Sequence, residues 1–515
     1  MILIHPPVAK PCEPPAGITK LSGALAFHGI NHTILDANLE ALLYIAGNTH
    51  PQAHKQYDKW TARALRNITG NLESVKSWKT FQNIDRYKRA VIDLNHAIEL
   101  WPDSGATPGI ANYRHKHLSP LRSDDLMRAA EHPEDNPYYP YFSKRLPTII
   151  ERTTSTVAGV SLNYLSQALC TFAMIGFLKQ QFPGMSIVLG GGLVTSWMKN
   201  PDWQDPFRGL VDHTVAGPGE RKLLAILGVD DDKERHCSPD YGSLPLENYL
   251  APGLILPYSA SSGCYWNRCS FCPENAENNP YVPVPVDTAI TELNELIIQT
   301  RPRLVHLLDN AISTSLLKKL AVNSGGVPWY GFARISRLLT DIDFCMDLKK
   351  AGCIMLKLGL ESGDQGVLDR MQKGIDIETA SLTLKTLKKA GIATYVYLIF
   401  GTPAETLPAA GKTLEFVLRH KEEITYLNVA IFNMPVCWHG ASGFETSRFY
   451  EGDLSLYTGF SHPGGWNRKE VRLFLENEFK KRRAVSAILR KDPPIFTSNH
   501  APFFVMLNPA AGFEY

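Results

Sequence analysis

Between residues 255 and 432, six short apolar runs recur, each followed by a stretch with helical spacing, and no other feature restricts the fold as tightly. The runs lie near 255–261, 303–309, 327–334, 353–360, 392–400 and 425–432. Helical segments separate them at 287–300, 314–323, 340–351, 366–390 and 406–421. Six strand–helix units in a row predict a partial (β/α)6 barrel, with its chemistry in the loops at the C-terminal ends of the strands.

The N-terminal part also alternates. Apolar runs at 2–5, 32–36, 157–161, 186–190 and 211–216 read as strands, and 15–29, 166–182 and 219–227 as helices. The series predicts an α/β domain with a Rossmann-like, doubly wound parallel sheet. It is interrupted by an insertion at about 45–150. There Ile84, Tyr87, Val91, Leu94 and Ile98 mark one amphipathic helix, and the remainder reads as irregular. A linker rich in Asp, Pro and Gly follows at 229–252, and the tail after 433 carries one helix near 468–490. The domain expectation is therefore 1–240, 241–432 and a C-terminal extension, 433–515.

The chain has 515 residues, 44% hydrophobic, with 53 Lys plus Arg against 51 Asp plus Glu. That balance gives no electrostatic reason to expect nucleic acid or an anionic membrane as partner. The most apolar stretch, 157–178, is broken by Ser161, Asn163, Ser166 and Gln167, so it reads as a strand and a buried helix rather than a membrane span. The N-terminus lacks the basic start of a signal peptide. A cytoplasmic location is expected.

Nine cysteines are present, six of them scattered (12, 170, 237, 345, 353 and 437), which is no disulfide framework and fits a reducing compartment. The other three cluster in Ser262-Gly-Cys264-Tyr-Trp-Asn-Arg-Cys269-Ser-Phe-Cys272-Pro, just past the first barrel run. Three thiolates can hold three irons of a cubane and leave the fourth open to a ligand. Structural zinc is the competing use, but it wants four ligands, and no fourth Cys or His lies close in sequence.

This segment resembles the cluster loop of radical S-adenosylmethionine (SAM) enzymes, whose usual spacing is C-x3-C-x2-C with an aromatic before the last cysteine. Phe271 occupies the aromatic position, and the first gap is one residue longer than usual. The resemblance covers 255–435 and implies a 4Fe–4S cluster on Cys264, Cys269 and Cys272. It also implies a SAM pocket built from the strand ends: Phe271, Asp309, Arg334, Glu361, Ser362, Gly401 and Pro403. By residue type, Glu361 suits ribose hydroxyls, Arg334 suits a carboxylate, and Gly401 with Pro403 shapes a close turn.

Three glycine-rich signals end strands of the first domain: Gly159-Val-Ser161, Gly190-Gly191-Gly192-Leu-Val-Thr195 and Gly217-Pro-Gly219-Glu220. Alone they read equally as tight strand–helix turns. A doubly wound domain, a linker and then such a barrel resemble the cobalamin-binding radical SAM proteins, as does the opening His5-Pro-Pro7. The resemblance implies cobalamin held near Ser161, Gly191, Gly192, Thr195, Gly217, Gly219 and Glu220. The D-x-H-x-x-G motif of other cobalamin proteins is absent, as is common in this family, where cobalt is then held without a histidine.

The expected activity is reductive cleavage of SAM to a 5′-deoxyadenosyl radical, hydrogen abstraction from an unactivated carbon, and methyl transfer from methylcobalamin. Ring formation, ring rearrangement or oxidation without methyl transfer is an alternative. A non-catalytic Fe–S or zinc protein is a second. The resemblance further implies an electron donor such as flavodoxin or ferredoxin and a small-molecule or peptide substrate, with the insertion and tail as specificity elements.

Overall fold

The computed structural model describes residues 1–51, 56–101, 105–229, 236–323, 325–438, 440, 443–496 and 500–505. By its contacts the chain divides into two compact units. The first comprises Met1–Leu254 with Tyr450–Leu456 and Pro494–Phe496; the second holds the rest. The division therefore falls at 254 rather than 240, and the tail is shared between the units instead of forming a third. The linker end stays with the first unit because it is tied down there. Asp240 N–H donates to the Thr19 carbonyl and Leu250 N–H to that of Pro11, and the Tyr249 hydroxyl donates to Asp36 at 2.7 Å.

In the first unit, β1 (Ile2–His5), β2 (Thr33–Asp36), β3 (Val157–Ser161), β4 (Ser186–Gly190) and β5 (His213–Val215) form a parallel sheet in the order β2-β1-β3-β4-β5. Ile2, Leu3 and Ile4 are wholly buried, as a strand covered on both faces requires. The strand order reverses between β1 and β3, which opens a crevice at the carboxyl ends there. The most apolar stretch of the sequence continues into a core helix, Leu165–Gln181, buried without a break from Gln167 to Leu178. Among the described residues no helix is long and apolar enough to cross a membrane.

The insertion departs from expectation. The helix Ile84–Glu99 is present, started by Asn83 accepting from the N–H groups of Asp85 and Arg86. The remainder, expected to be irregular, also holds Lys59–Arg66, Ile68–Val75, Ser123–Glu131 and Tyr139–Thr153 as helices. These are short or proline-bearing (Pro147 lies inside the last) and take their order from packing rather than from propensity. Ser123–Glu131, for example, buries Leu126, Ala129 and Ala130 and packs on Leu165–Gln181.

Gly191 shows how tightly the β4 turn is built. Its φ is +113°, and an added Cβ would lie 2.3 Å from the Leu162 carbonyl oxygen. Gly191→Ala therefore lowers stability by about 2–4 kcal/mol, combining a glycine-only conformation with a backbone clash. Thermal melting of the two full-length proteins measures this, and an unchanged Tm would contradict it.

In the second unit, β6 (Ile255–Tyr258), β7 (Leu304–Leu307), β8 (Trp329–Ala333), β9 (Cys353–Glu361), β10 (Ala393–Phe400) and β11 (Tyr426–Ile431) form one parallel six-stranded sheet in sequential order. This is the expected partial barrel. Its middle layer is filled by side chains. The rings of His306 and Tyr330 stack at 4.3 Å and 7°. The buried Lys357 ammonium donates to His306 Nε2 at 2.9 Å, and Tyr395 stands opposite Lys357 in register. The His500 ring packs 4.3 Å from both Tyr395 and Tyr426.

Two expected helices are broken. The 366–390 segment is Gln365–Arg370 and Ile377–Lys389, parted by 371–376. Gln372 (φ +53°) and Gly374 (φ +64°) reverse the chain there, and Asp376 restarts the helix by accepting from Thr379 N–H. The 468–490 segment is Arg468–Phe474, a π turn over Leu475–Phe479, and Arg483–Leu489.

Candidate metal centre

The three cysteines sit on the loop leaving β6. A Cβ added at Gly263 would lie 2.3 Å from the Pro280 carbonyl oxygen, so the loop starts in close contact with the segment that follows the cysteines. Asn267, in the widened first gap, adopts φ +39°, a left-handed conformation that Asn tolerates. Its carbonyl accepts from Asn275 Nδ2 at 2.8 Å, and Cys272 N–H donates to the Cys269 carbonyl at 3.2 Å.

Cys269 is buried, while Cys264 and Cys272 are half-buried. Burial pushes the Cys269 thiol up, against the opposing charges of Lys373 and Arg334. Burial pushes the Cys272 thiol up to about 11, with Cys269 adding to it. Among the described residues no group of three or more His, Cys, Asp or Glu side chains is gathered closely enough to hold a metal ion.

Around the cysteines stand residues from several strand ends. Glu361 closes β9 in a left-handed conformation (φ +70°), at a register shift between Gly359 and Glu361. Its Oε1 accepts from Lys373 Nζ at 2.8 Å, with both side chains about nine-tenths buried. That ammonium also lies 5.5 Å from the Phe271 ring. Arg334, just past β8, donates through Nη2 to the carbonyls of Lys373 at 2.7 Å and Gly374 at 3.1 Å. Phe271, Arg334 and Glu361 are thus brought together, with Lys373 as their common neighbour. Lys373 escaped the sequence reading because it fell in what read as a continuous helix.

Other expected residues are engaged differently. Asp309 is buried and accepts from Ala260 N–H at 3.2 Å and from the Ser261 hydroxyl, so it braces the turn after β6. Ser362 is fully buried, its hydroxyl 3.2 Å from that of Thr413 and accepting from Asp364 N–H. In the loop after β10, Gly401 (φ +78°) donates its N–H to Glu405 Oε2 at 2.6 Å, and Pro403 is half-buried in the same turn.

This loop is braced by the tail, which the sequence offered as a specificity element and not as a support of this loop. The Trp466 indole donates to Glu405 Oε2 at 2.8 Å. His462 Nδ1 accepts from Gly464 N–H at 3.0 Å, so its Nε2–H donates to the Thr402 carbonyl at 3.1 Å. Burial holds His462 below its ordinary value, consistent with a neutral ring. His439, also in the tail, lies outside the described residues.

Burial raises the Glu405 carboxyl to about 7, opposed by the Gly401 and Trp466 donors. A carboxyl raised in the fold is most stabilising below the unfolded value of 4.5 and loses that contribution as pH rises through about 7. The Tm is expected to fall across this window, and Glu405→Gln to remove that part of the fall. Melting curves across the window test it; parallel profiles for the two proteins would refute the assignment.

In the first unit, the glycine-rich turns converge on one hydrogen-bonded set. Thr195 Oγ1 donates to the Gly191 carbonyl and accepts from Gly217 N–H, both at 2.9 Å. Asn163 Oδ1 accepts from Gly192 N–H at 2.9 Å, while its Nδ2 donates to Ser161 Oγ at 3.1 Å. Sequence reading missed Asn163. Gly219 and Glu220 open the helix Glu220–Ile226 beside them. Gly217 and Gly192 are exposed, and nothing lies within 4 Å of where a Cβ at Gly217 would stand. At the end of β1, His5 is 6% exposed and its Nδ1 lacks a partner among the described residues.

Residues 258–417 match the Radical SAM superfamily model. The chain is 27% identical over 253 residues to an uncharacterized methyltransferase of Pyrococcus horikoshii, covering 44% of this chain and 52% of that one. It is 27% identical over 281 residues to the anaerobic magnesium-protoporphyrin IX monomethyl ester cyclase of Rubrivivax gelatinosus, covering 46% and 49%. The chain spans about half the length of the curated relatives it matches. Among solved structures it is similar to the radical SAM methyltransferase TsrM of Kitasatospora setae with cobalamin and a 4Fe–4S cluster bound. The TM-score is 0.51 at 14% identity, over 88% of this chain and 84% of that one. A second TsrM structure, with tryptophan substrate and a SAM analog, gives 0.50 at 15% identity over 84% and 73%. At these identities the likeness is one of fold. Residues 258–417, with the cysteine loop at their start, are a radical SAM domain.

Proposed function

We propose that the chain is a cobalamin-dependent radical SAM enzyme that methylates an unactivated carbon. The observation that carries the reading is the placement of Cys264, Cys269 and Cys272 beside Arg334, Glu361 and Lys373 at the strand ends of a radical SAM domain. The residues fit the cofactors. Three thiols and two nearby cations suit an anionic thiolate-held cluster, and the exposed glycines with the orphaned His5 nitrogen at the N-terminal crevice suit a macrocycle bearing polar side chains.

When bound, the reduced cluster supplies the electron that splits SAM into methionine and a 5′-deoxyadenosyl radical, and cobalamin carries the methyl group. The chain's residues position these partners. Glu361 presents Oε2 for ribose hydroxyls while Lys373 holds Oε1. Arg334 offers a cation to the methionine carboxylate. Gly401–Pro403 forms a close wall whose shape is set by Glu405, His462 and Trp466. A filled barrel beneath them, from His306 to Tyr395, keeps water from the radical. An oxygen-sensitive cluster belongs in a reducing cytoplasm, with flavodoxin or ferredoxin as electron donor.

The test is anaerobic turnover of the reconstituted, cobalamin-loaded protein with SAM, reductant and candidate small molecules or peptides. Methyl transfer yields both 5′-deoxyadenosine and S-adenosylhomocysteine, with a product heavier by one methylene. A second reading, radical cyclisation or oxidation, is favoured by the likeness to the Rubrivivax cyclase. It predicts 5′-deoxyadenosine without methyl gain, and that result would overturn the first.

A further inference from the structure

The widened gap between Cys264 and Cys269 has a structural use. Trp266, inside it, lies with its ring 4.0 Å from the Arg334 guanidinium carbon. Its indole N–H donates to the Gln372 carbonyl at 3.0 Å. The ring lies against Gly374, where an added Cβ would come within 2.1 Å of Cζ2. The next carbonyls of the same strap, those of Lys373 and Gly374, accept from Arg334 itself, and Ser270 N–H donates to the Met371 carbonyl. The strap is the break between the helices Gln365–Arg370 and Ile377–Lys389. Cluster loop, Arg334 and strap are therefore joined through one indole ring.

We propose that Trp266 is a positioning residue that clamps the Arg334 guanidinium between its own ring and the 371–374 strap, fixing that charge beside the cluster loop for the carboxylate of SAM. The inference rests on the functional reading above. A guanidinium on a stem of three methylenes has many rotamers. Stacking it on an indole while two backbone carbonyls hold one nitrogen removes most of them before any ligand arrives. The same restraint keeps a positive charge near Cys269, where it favours the more negative, reduced state of a thiolate-held cluster. A gap one residue shorter would lack either the indole or the left-handed turn at Asn267 that presents it.

The experiment compares Trp266→Ala, Trp266→Phe, Gly374→Ala and the Trp266→Ala/Gly374→Ala double variant in the reconstituted full chain. Readouts are iron and sulfide content, SAM affinity from the change it causes in the EPR spectrum of the reduced cluster, midpoint potential, and Tm. Trp266→Ala is expected to keep its cluster, weaken SAM binding about tenfold and shift the potential negative. Trp266→Phe, which keeps a ring under Arg334, recovers most of the affinity. Gly374→Ala behaves like Trp266→Ala, because its methyl group displaces the ring. Added to Trp266→Ala it costs no further SAM affinity. Wild-type affinity and potential in Trp266→Ala, with or without a fall in Tm, would overturn the proposal, as would additive losses in the double variant. A wild-type chain that holds no cluster overturns the functional reading itself, and the clamp with it.

Discussion

Replacing Cys264, Cys269 and Cys272 together by Ala is expected to abolish cluster assembly and bring 5′-deoxyadenosine formation down to the level without enzyme. The fold should survive, since these thiols sit on a loop after β6 and two of them are only half-buried. Any cobalamin bound by the first unit should survive as well, because that unit has its own sheet and core. The checks are iron and sulfide content, absorbance of added cobalamin, and product formation in the same samples. Loss of cobalamin binding together with the cluster would mean that the fold had collapsed, and single Ser replacements would then separate the two effects. The sizes follow from coordination. A cubane that loses all its protein thiolates has nothing to anchor it, and electron delivery to SAM ends with it.

The second large effect is at Glu361. Its pairing with Lys373 takes place with both side chains about nine-tenths buried, and its strained φ of +70° aims the carboxylate off the strand end. Glu361→Gln is expected to lower SAM cleavage about 100-fold, equivalent to roughly 2.7 kcal/mol. It should also lower Tm, because it leaves the Lys373 ammonium without its counter-charge. Pairing it with Lys373→Met should restore much of the stability, since removing both members of a buried ion pair is often neutral, but should not restore SAM cleavage. Recovery of both in the double variant would show that the pair serves only the fold. Retention of SAM cleavage in Glu361→Gln would remove the carboxylate from the ligand set.

The strands of both sheets were legible because each is an apolar run bounded by turn residues. Ile2–His5, Ser186–Gly190 and Ala393–Phe400 are instances in which period and punctuation agree. The helices of the insertion other than Ile84–Glu99 were not, because segments such as Lys59–Arg66 are held by tertiary partners, Arg63 to Asp93 at 2.7 Å among them. The site was legible where residue type announces chemistry: three clustered cysteines, or a Glu at the end of a strand. It was hidden where function depends on a backbone break. Gln-Lys-Gly at 372–374 reads as a weak point in a helix, yet it is the strap that carries Lys373 and receives Arg334 and Trp266. The tail was opaque for a similar reason. His462 and Trp466 act on the loop after β10 from some sixty residues away, and no local pattern announces that contact. Asp309 shows a different use of such a position, a carboxylate at the end of β7 whose oxygens are bonded to the turn after β6.

The central claim is that the Cys264–Cys269–Cys272 loop holds an open-site cluster facing the Arg334–Glu361–Lys373 group. EPR of the anaerobically reconstituted, reduced protein with and without SAM tests it most directly. The account predicts a 4Fe–4S signal whose shape changes on adding SAM, and loss of that change in Glu361→Gln. A protein that takes up one zinc in place of iron and sulfide, or a cluster signal indifferent to SAM, would contradict it.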